Sequence, residues 1–425
     1  MSSANTTGDR PLGGWRRAFS PRSAGVVYAL LLLVAVLTIT TSAQGRPPYL
    51  SSVNLSNILD QASLIGILAI FMTLTLITGN FDLSVASTAA LAGTVALKLV
   101  DQYGALFALV AALLTGALVG FVNAVLVQKV GVNAFIVTLG TLTAVRGVVQ
   151  AILNGQSITA KNSSFHDFAT ARWALPPVVA VIIAALLVVA AAVLALRKEN
   201  RIAGLGATAP LSLSGIALGF VAIAQPKMLI QTTPVWIMLA LTVIVSVVLR
   251  HTVVGRSLYA SGGNSEAARL SGISVDRYKM GAFILNGLVA GAVGVLYAGR
   301  FNSVDPTVLT GGELTVIAAA VLGGTSLLGG SGFVAKSVVG TLILFTLSNG
   351  FNVLNIGSNY QNVVQGGVLV AAAALYTATS SRGRTLVRLW FSRRADNGGV
   401  VVEPAVKVEE PKTAAETAEL GVQQR

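Results

Sequence analysis

"ALFALVAALLTGALVGFVNAVLV", residues Ala105 to Val127, is a run of 23 residues without one charged side chain. At 1.5 Å per residue a helix of this length extends about 34 Å, enough to cross the roughly 30 Å hydrocarbon core of a bilayer. Similar runs recur along the chain, in which 54% of the 425 residues are hydrophobic and only 11% are charged. The sequence therefore predicts a helical membrane protein and excludes a soluble domain.

The apolar runs predict an all-α polytopic integral membrane protein with about 12 (10–12) transmembrane helices, some of them broken or re-entrant. The predicted spans are Ala24–Ser42, Asn57–Thr78, Phe81–Leu99, Ala105–Val127, Asn133–Leu153, Leu175–Leu196, Thr208–Ala224, Val235–Leu249, Met280–Gly299, Leu314–Leu328, Phe333–Leu354 and Asn362–Ala378. The first span ends in "TSAQ", which suits a signal peptidase. Its apolar run exceeds the roughly 7–15 residues of a signal peptide, however, so we expect an uncleaved anchor.

The net charge of +13 reflects where the basic residues lie. If the N-terminus is cytoplasmic and the spans alternate strictly, 22 of the 29 Lys and Arg residues fall in or beside cytoplasmic segments. Cytoplasmic loops of membrane proteins carry such an excess. We therefore expect a multi-pass protein of the cell (plasma) membrane, in contact with membrane lipid, with cytoplasmic N- and C-termini and no nucleic-acid partner.

Three regions follow from composition. Residues 1–23 form a cytoplasmic N-terminal segment, residues 24–379 a transmembrane domain, and residues 380–425 a basic and then disordered cytoplasmic tail. The chain has no cysteine and two histidines, which excludes disulfides, a thiol nucleophile and a Cys-ligated zinc site. We expect no catalytic residue, no metal and no cofactor.

"GGSGFVAKS", residues Gly329 to Ser337, comes within one residue of the phosphate-binding loop G-x-x-x-x-G-K-[ST]. Ala335 stands where the second glycine belongs, and its Cβ narrows the space in which backbone N–H groups would surround a phosphate. The segment also follows an apolar span rather than the strand of a soluble α/β domain. We therefore predict a glycine-rich turn between two membrane helices, with Lys336 at the cytoplasmic headgroups.

The longest polar connection, residues 251–279, is predicted to be a cytoplasmic loop. Within it Asn264 suits an N-cap, Glu266 lies in the first turn where a helix dipole favours an anion, Arg269 lies nearer the end, and Gly272 suits a terminator. These residues predict a two-turn cytoplasmic helix that receives a partner. A merely solvated loop is the alternative.

Two charged residues inside the spans are candidates for a pathway or a helix break. Arg146 lies in mid-span, where a charge costs about 2.5–3.5 kcal/mol, so it must face protein or a watery cavity. It either ties helices together or lines the pathway, and the residues that can hydrogen-bond it are Thr138, Thr141 and Thr143. Asp82 follows Gly79 and Asn80, and capping of a broken helix is favoured over contact with solute.

Three further polar residues are candidates of the same kind. Glu313 opens a span near the predicted outer face, where it caps a helix or meets the pathway, with capping favoured. Asn349 and Asn352 share one helix face at i, i+3 spacing. Their amides suit sugar hydroxyls, and they equally suit bonds to neighbouring helices.

Five motifs carry a resemblance to a known family. "GRSLYASGGNSEAARLSGISVDRYK" (255–279) resembles the cytoplasmic loop of permease subunits of monosaccharide ABC importers of the ribose, xylose and arabinose type. The other four are similar to segments of that family in the same order, namely "GNFDLSVAS" (79–87), "FIVTLGTLTAVRGV" (135–148), "GGELTVIAAAVLGGTSLLGGSG" (311–332) and "NGFNVL" (349–354). The additional hydrophobic pair in Leu175–Ala224 looks most like the xylose-type members.

The resemblance implies a non-catalytic permease subunit that acts as a homodimer. The implied partners are an ATP-binding subunit with two ATPase domains and an extracytoplasmic sugar-binding protein that selects the solute. The residues implied in ATPase coupling are Gly263, Asn264, Ser265, Glu266, Ala267, Ala268, Arg269 and Leu270. The alternatives are the same family with another cargo (a nucleoside, a branched-chain amino acid or a signalling sugar) and a secondary transporter that acts alone.

The charge distribution makes a testable prediction about topology. Reporter fusions at the C-terminus and at Pro306 should report opposite sides of the membrane, because strict alternation puts an odd number of spans between them. The measurement is the activity of a paired cytoplasmic and periplasmic reporter at each site. The same side for both fusions would rule out the twelve-span topology.

Overall fold

The computed structural model describes residues 21–196 and 201–357, together with five single residues between 360 and 370. Within these ranges the side chains of residues 21–24 and 194–211 are not described. The predictions for residues 1–20 and for the tail at 380–425 lie outside the described residues, as does most of the predicted span Asn362–Ala378.

The described residues are mainly helical with very little strand, which confirms the predicted fold class. Their helices are α1 (Pro21–Ala43), α2 (Ser52–Ile77), α3 (Val85–Gln128), α4 (Ala134–Leu153), α5 (Ser164–Thr170), α6 (Pro177–Leu196), α7 (Arg201–Ala224), α8 (Thr233–His251), α9 (Val253–Gly263), α10 (Ser265–Leu270), α11 (Val275–Phe301), α12 (Gly312–Leu322) and α13 (Val334–Val353). Four short strands are β1 (Ile158–Thr159), β2 (Arg172–Ala174), β3 (Ile230–Thr232) and β4 (Ser303–Val304). Seven of these helices are long and apolar enough to cross a membrane.

Helix α3 contains the third and fourth predicted spans. It is 44 residues long, and its only non-helical residue is Gly104, with φ +82° and ψ 166°. A positive φ of this kind suits glycine because a Cβ would clash with the backbone. The boundary predicted between the two spans, at residues 100–104, therefore coincides with the point at which α3 divides into two halves.

The predicted span Leu314–Leu328 is wrong in its extent. Helix α12 ends at Leu322, so its 11 residues cover about 16 Å, roughly half of a hydrocarbon core. The helix stops because Gly324 has φ +84° and because Gly323 lies against the start of α13, where a Cβ would come within 2.5 Å of the Ser337 amide nitrogen. The apolar residues that follow belong to a turn, which is why hydropathy alone overestimated the helix.

Helix α2 is the centre of the main hydrophobic core. Its residues from Ala62 to Ile77 are buried. Around it pack side chains of α8, α11, α12 and α13, including Met238, Val293, Val316 and Val338. Helix α1 packs against α13 on one side, where Leu37 meets Gly350. The first span is therefore part of the helical bundle.

Helix α11 lies in the groove between the two halves of α3, and glycines line the contact. A Cβ on Gly93 would come within 2.7 Å of the Gly294 carbonyl oxygen, and one on Gly291 would come within 2.7 Å of the Ala112 carbonyl oxygen. A Cβ on Gly287 would come still closer to the carbonyl oxygen of Gly116. Small residues let membrane helices approach at backbone distance, which compensates for the absence of a hydrophobic driving force in lipid.

The connections between helices gather at two ends of the bundle. At one end β1 pairs with β4 and β2 pairs with β3, both antiparallel, so three connections predicted to be extracytoplasmic lie together. At the other end the N–H of Gly330 donates to the Ile77 carbonyl at 2.8 Å, and Gly79 packs near Gly262. We call these the outer end and the inner end. Which of them faces the cytoplasm stays a prediction.

The α3–α11 contact makes a testable prediction about stability. Gly287→Ala should lower stability by about 1–3 kcal/mol, because the new methyl group meets the Gly116 carbonyl and the backbone of Gly120. The measurement is the apparent Tm of the purified chain in detergent. The control is Gly281→Ala in the same helix, where no atom of the described residues lies within 4 Å of the new Cβ. Equal Tm values for both variants would contradict the close contact.

Candidate functional site

The short helix α10 at the inner end has the caps that the sequence predicts. The Asn264 side-chain oxygen accepts the N–H of Glu266 at 3.1 Å and the N–H of Ala267 at 3.0 Å. At the other end Gly272 has φ +80°, and Ile273 donates its N–H to the Ala268 carbonyl at 3.0 Å. These are the bonds of an Asn N-cap and of a Schellman C-cap. The predicted helix between Asn264 and Gly272 is confirmed.

One face of α10 is anchored and the other faces solvent. Ala268 is buried, and Arg269 pairs with Asp276 of α11 at 2.7 Å. Glu266 is exposed, and the side chain of Leu270 is 86% exposed, the highest value among the large apolar residues of the described chain. A leucine in this position has no packing role within the described chain and is available to a partner.

Helix α9 connects α10 to the membrane helices, and the sequence did not predict it as a helix. The Tyr259 hydroxyl donates to the Gly332 carbonyl at 2.7 Å, and burial raises the pKa of Tyr259, so it stays a neutral donor. Gly262 lies against the Ile77 carbonyl, and a Cβ on Gly330 would come within 2.7 Å of the Gly263 Cα atom. These contacts join the backbone at the end of α9, next to α10, to the end of α2 and to the turn before α13.

Gly329 to Phe333 of "GGSGFVAKS" lie in the turn between α12 and α13, and the remaining four residues begin α13, which confirms the prediction of a turn between two helices. Its Gly330 N–H is already donated to Ile77, and a Cβ on Gly329 would come within 2.8 Å of Gly79. Backbone thus fills the space that a phosphate would need. Lys336 lies with its Nζ atom 4.5 Å from the centre of the Phe333 ring.

Asp82 lies in the connection between α2 and α3 and is almost fully buried. Its Oδ1 atom accepts the N–H of Ser84 at 3.0 Å and the Ser84 hydroxyl at 2.6 Å. Its Oδ2 atom accepts the side-chain amide of Asn286, in α11, at 2.9 Å. The first two bonds close a turn on Ser84, the N-cap residue of α3, which has no side-chain cap bond. The third ties this turn to α11, and the capping role of Asp82 stays a prediction.

The same contacts continue into a chain of buried polar side chains. Asn123 donates to the Ser84 hydroxyl oxygen at 2.9 Å and accepts the Thr141 hydroxyl at 2.7 Å. The chain therefore joins both halves of α3 to α4 and, through Asp82, to α11. Buried polar groups in a membrane require such partners, since an unpaired group there costs several kcal/mol.

Arg146 does not bind the threonines that sequence suggested. Its Nη1 atom donates to the Val308 carbonyl at 2.7 Å and lies 3.4 Å from the Pro306 carbonyl, in the connection that follows α11. Of the three threonines, Thr141 donates to Asn123, while the hydroxyls of Thr138 and Thr143 donate to carbonyls of their own helix. The Thr138 and Thr143 hydroxyls are occupied because they already donate to backbone carbonyls of α4. The backbone carbonyls in the connection after α11 have no helical partner, so they can accept the Arg146 guanidinium.

Glu313 lies in the first turn of α12, after Gly311, which has φ +80° and provides no capping side chain. Its Oε2 atom is buried and has no hydrogen-bond partner among the described residues. An acidic group in a first turn interacts favourably with the helix dipole. The choice between capping and pathway contact stays a prediction for this residue.

Asn349 and Asn352 have different surroundings although they share one helix. Asn349 is buried and donates its side-chain amide to Asn54, in α2, at 2.9 Å. Asn352 is exposed and lies in a cleft between α2, α12 and α13. The structure thus brings Asn349 into a helix–helix contact and leaves only Asn352 with an accessible amide.

Sequence reasoning missed Asn123 and Asn286, both fully buried. Each is an isolated amide within an apolar run. Because an unpaired amide is unfavourable in hydrocarbon, such a position alone indicates a buried hydrogen-bond partner. Their partners were not visible, since Asp82 and Asn286 are 204 residues apart in the chain.

A family model described as "Branched-chain amino acid transport system / permease component" matches residues 54–373. No solved structure matches the chain.

Three of the relatives are bacterial permeases. The "Ribose import permease protein RbsC" of Escherichia coli K12 is 36% identical over 347 residues, covering 81% of this chain and 91% of the relative. The "Xylose transport system permease protein XylH" of the same strain is 33% identical over 368 residues, covering 84% of this chain and 92% of the relative. The "L-arabinose ABC transporter permease protein AraH" of Azospirillum brasilense is 32% identical over 350 residues, covering 82% of this chain and 86% of the relative.

The buried chain of polar groups makes a testable prediction. Asp82→Ala should lower stability by about 1–3 kcal/mol, because Asn286 and the Ser84 N–H lose their buried acceptor. Asp82→Asn, which keeps one acceptor oxygen, should lower stability by a smaller amount. The measurement is again the apparent Tm of the purified chain.

Asp305→Ala is the matched control for Asp82→Ala. The Asp305 carboxylate accepts the N–H of Thr307 at 2.7 Å and the Thr307 hydroxyl, just as Asp82 accepts both groups of Ser84. The Asp305 bonds, however, lie at the surface. Water can replace hydrogen bonds at the surface, so Asp305→Ala should lower stability only slightly. If Asp305→Ala lowers the Tm as much as Asp82→Ala, burial of the Asp82 bonds does not account for their contribution.

Proposed function

The chain belongs to the family of permease subunits of monosaccharide ABC importers, and from that premise we propose that it forms the membrane pathway of an ATP-driven pentose importer. The observation that carries the proposal is the capped, exposed helix α10, which follows directly on α9, whose last glycines contact the backbone of α2 and of the turn before α13. ATP hydrolysis takes place on a separate subunit, whose movement reaches the pathway through α10.

The proposed cargo is a xylose-like pentose or a related sugar. The relatives are named for ribose, xylose and arabinose, all of them pentoses, and the matches to the ribose and xylose proteins have similar identity. The helical pair α6–α7, in which Gly215 packs against Ala184 at backbone distance, supports a xylose-like member because the sequence resemblance attributes this pair to that group. Branched-chain amino acids, nucleosides and signalling sugars are the rival cargoes.

The proposed coupling segment consists of Gly263, Asn264, Ser265, Glu266, Ala267, Ala268, Arg269 and Leu270. Its exposed acidic and apolar side chains, Glu266 and Leu270, offer a partner one charge and one apolar contact on a helix whose ends are fixed by caps. Two such helices, one from each copy of a permease dimer, would dock into the two ATPase domains. The ATPase subunit then moves the helices together or apart and switches the pathway between its two openings.

The described geometry of the glycine-rich turn before α13 supports the assignment of hydrolysis to a partner. Ala335 narrows the loop "GGSGFVAKS", and the Gly330 N–H is already bound to the Ile77 carbonyl. We therefore propose a non-catalytic role for the chain.

A second copy and a binding protein complete the proposed importer. Helix α4 presents Gly140, Ala144 and Gly147 on an exposed face, and no described atom lies within 4 Å of a Cβ built on either glycine. Small residues in this arrangement suit close approach of another helix. At the outer end, the exposed aromatic side chains of Trp173 and Phe168, beside the strand pairs, suit an extracytoplasmic sugar-binding protein.

Charge reversal on α10 tests the coupling proposal. Glu266→Lys should leave insertion and expression unchanged, because the helix lies outside the spans. It should weaken binding to the ATPase subunit by about 1 kcal/mol or more and lower sugar-stimulated ATPase activity in the assembled complex, because it reverses a charge at the docking surface and opposes the helix dipole. The measurements are co-purification of the ATPase subunit and sugar-stimulated ATP hydrolysis by the complex.

Asp167→Lys is the matched control. Asp167 is also an exposed acid in the first turn of a short helix, α5, but it lies at the outer end. This variant should retain the ATPase subunit in full. If the Glu266 variant assembles and stimulates hydrolysis like the unmodified chain, α10 is a solvated helix at this position and not a docking helix.

A further inference from the structure

A cleft of about 540 Å³ opens near the outer end of the bundle, between α2, α12 and α13. Gln61 lines it from α2, Thr310 and Thr315 from the start of α12, and Ser348 and Asn352 from α13. Gln61 follows Asp60, which binds Arg300 and the Thr232 hydroxyl among the outer-end connections. The cleft therefore lies on the side from which a binding protein would deliver solute under the proposed function.

The polar side chains of the cleft are neutral amides and hydroxyls. Neither the Gln61 nor the Asn352 side-chain amide hydrogen-bonds to another residue in the part of the chain that the structure describes. Thr310 donates its hydroxyl to the Thr307 carbonyl at 2.6 Å, which leaves its oxygen lone pairs as acceptors toward a ligand. The cleft thus offers both donors and acceptors and no charged side chain of its own.

The remaining wall of the cleft is apolar. Ile65, Leu309, Leu344 and Phe345 contribute it, and Gly311 and Gly312 let a ligand approach the backbone at the start of α12. A volume of this size lies within the roughly 300–1,000 Å³ of small-molecule sites. Apolar walls with a few convergent polar groups are typical of such sites.

We propose that this cleft is a subsite for a neutral monosaccharide on its way through the permease. A sugar carries hydroxyl groups on its rim, each both donor and acceptor, and a C–H face that packs on an aromatic ring such as Phe345. A zwitterionic amino acid needs a partner for each charge, and the cleft has none. The inference rests on the proposed function and adds the place and the chemistry of solute contact.

Cysteine labelling tests the subsite, and the chain has no cysteine of its own. Asn352→Cys and Gln61→Cys are each made in the assembled importer with its ATPase subunit. A membrane-impermeant thiol reagent is then added from outside, with and without D-ribose, D-xylose or L-arabinose at millimolar concentration. At least one of these sugars should slow labelling at both positions. Leucine at the same concentration should not.

Thr170→Cys is the control for labelling, because Thr170 is exposed on α5 at the outer end and does not line the cleft. Its labelling rate should not change with sugar. As a second measurement, Asn352→Leu and Gln61→Leu should each reduce the apparent affinity for sugar in uptake by about three- to tenfold, the effect of losing one neutral hydrogen bond.

The outcomes separate the two proposals. Labelling at positions 61 and 352 that is insensitive to sugar, or a cysteine there that the reagent does not reach, in a complex that still imports the sugar, overturns the subsite and leaves the proposed function intact. A complete complex that imports none of the three sugars overturns the proposed function and the subsite with it.

Discussion

The contact of α11 with both halves of α3 is the interaction on which the rest of the bundle depends. In lipid, apolar side chains gain little by leaving one apolar environment for another, so helices associate through close packing and polar bonds. Gly93, Gly116, Gly287, Gly291 and Gly294 allow this packing at backbone distance. The same contact brings Asn286 to Asp82 and thereby closes the chain of buried hydrogen bonds that reaches Asn123 and Thr141.

The inner end is built in a different way, and this difference bears on mechanism. There α9 meets α2 and the turn before α13 through the backbone of Gly262 and Gly263, with Tyr259 as one polar tie. Leu258 of α9 also packs in the main core, whereas the outer end is held by two strand pairs and by the ion pair of Arg300 with Asp60. Close backbone contact of this kind suits an element that transmits a displacement under the proposed function. The outer end suits one that holds its shape.

The sequence predicted most of the helices because hydropathy and glycine act locally. The apolar runs located the spans and the gap at residues 100–104 that divides α3, and Asn264 with Gly272 bounded α10. It overestimated α12, because Gly323 stops that helix by tertiary contact with the start of α13. It also could not find the partners of Asp82 and Arg146, which lie more than 150 residues away and, for Arg146, are backbone carbonyls that no residue type reveals.

The central claim is that this chain conducts a pentose only when a separate subunit hydrolyses ATP. Uptake of labelled ribose, xylose and arabinose into proteoliposomes tests it most directly, with the chain reconstituted alone and together with its ATPase subunit and binding protein. The account predicts uptake of at least one pentose by the complete complex, dependent on ATP and unaffected when the proton gradient is dissipated. Uptake by the chain alone, driven by a proton gradient and indifferent to ATP, would contradict it.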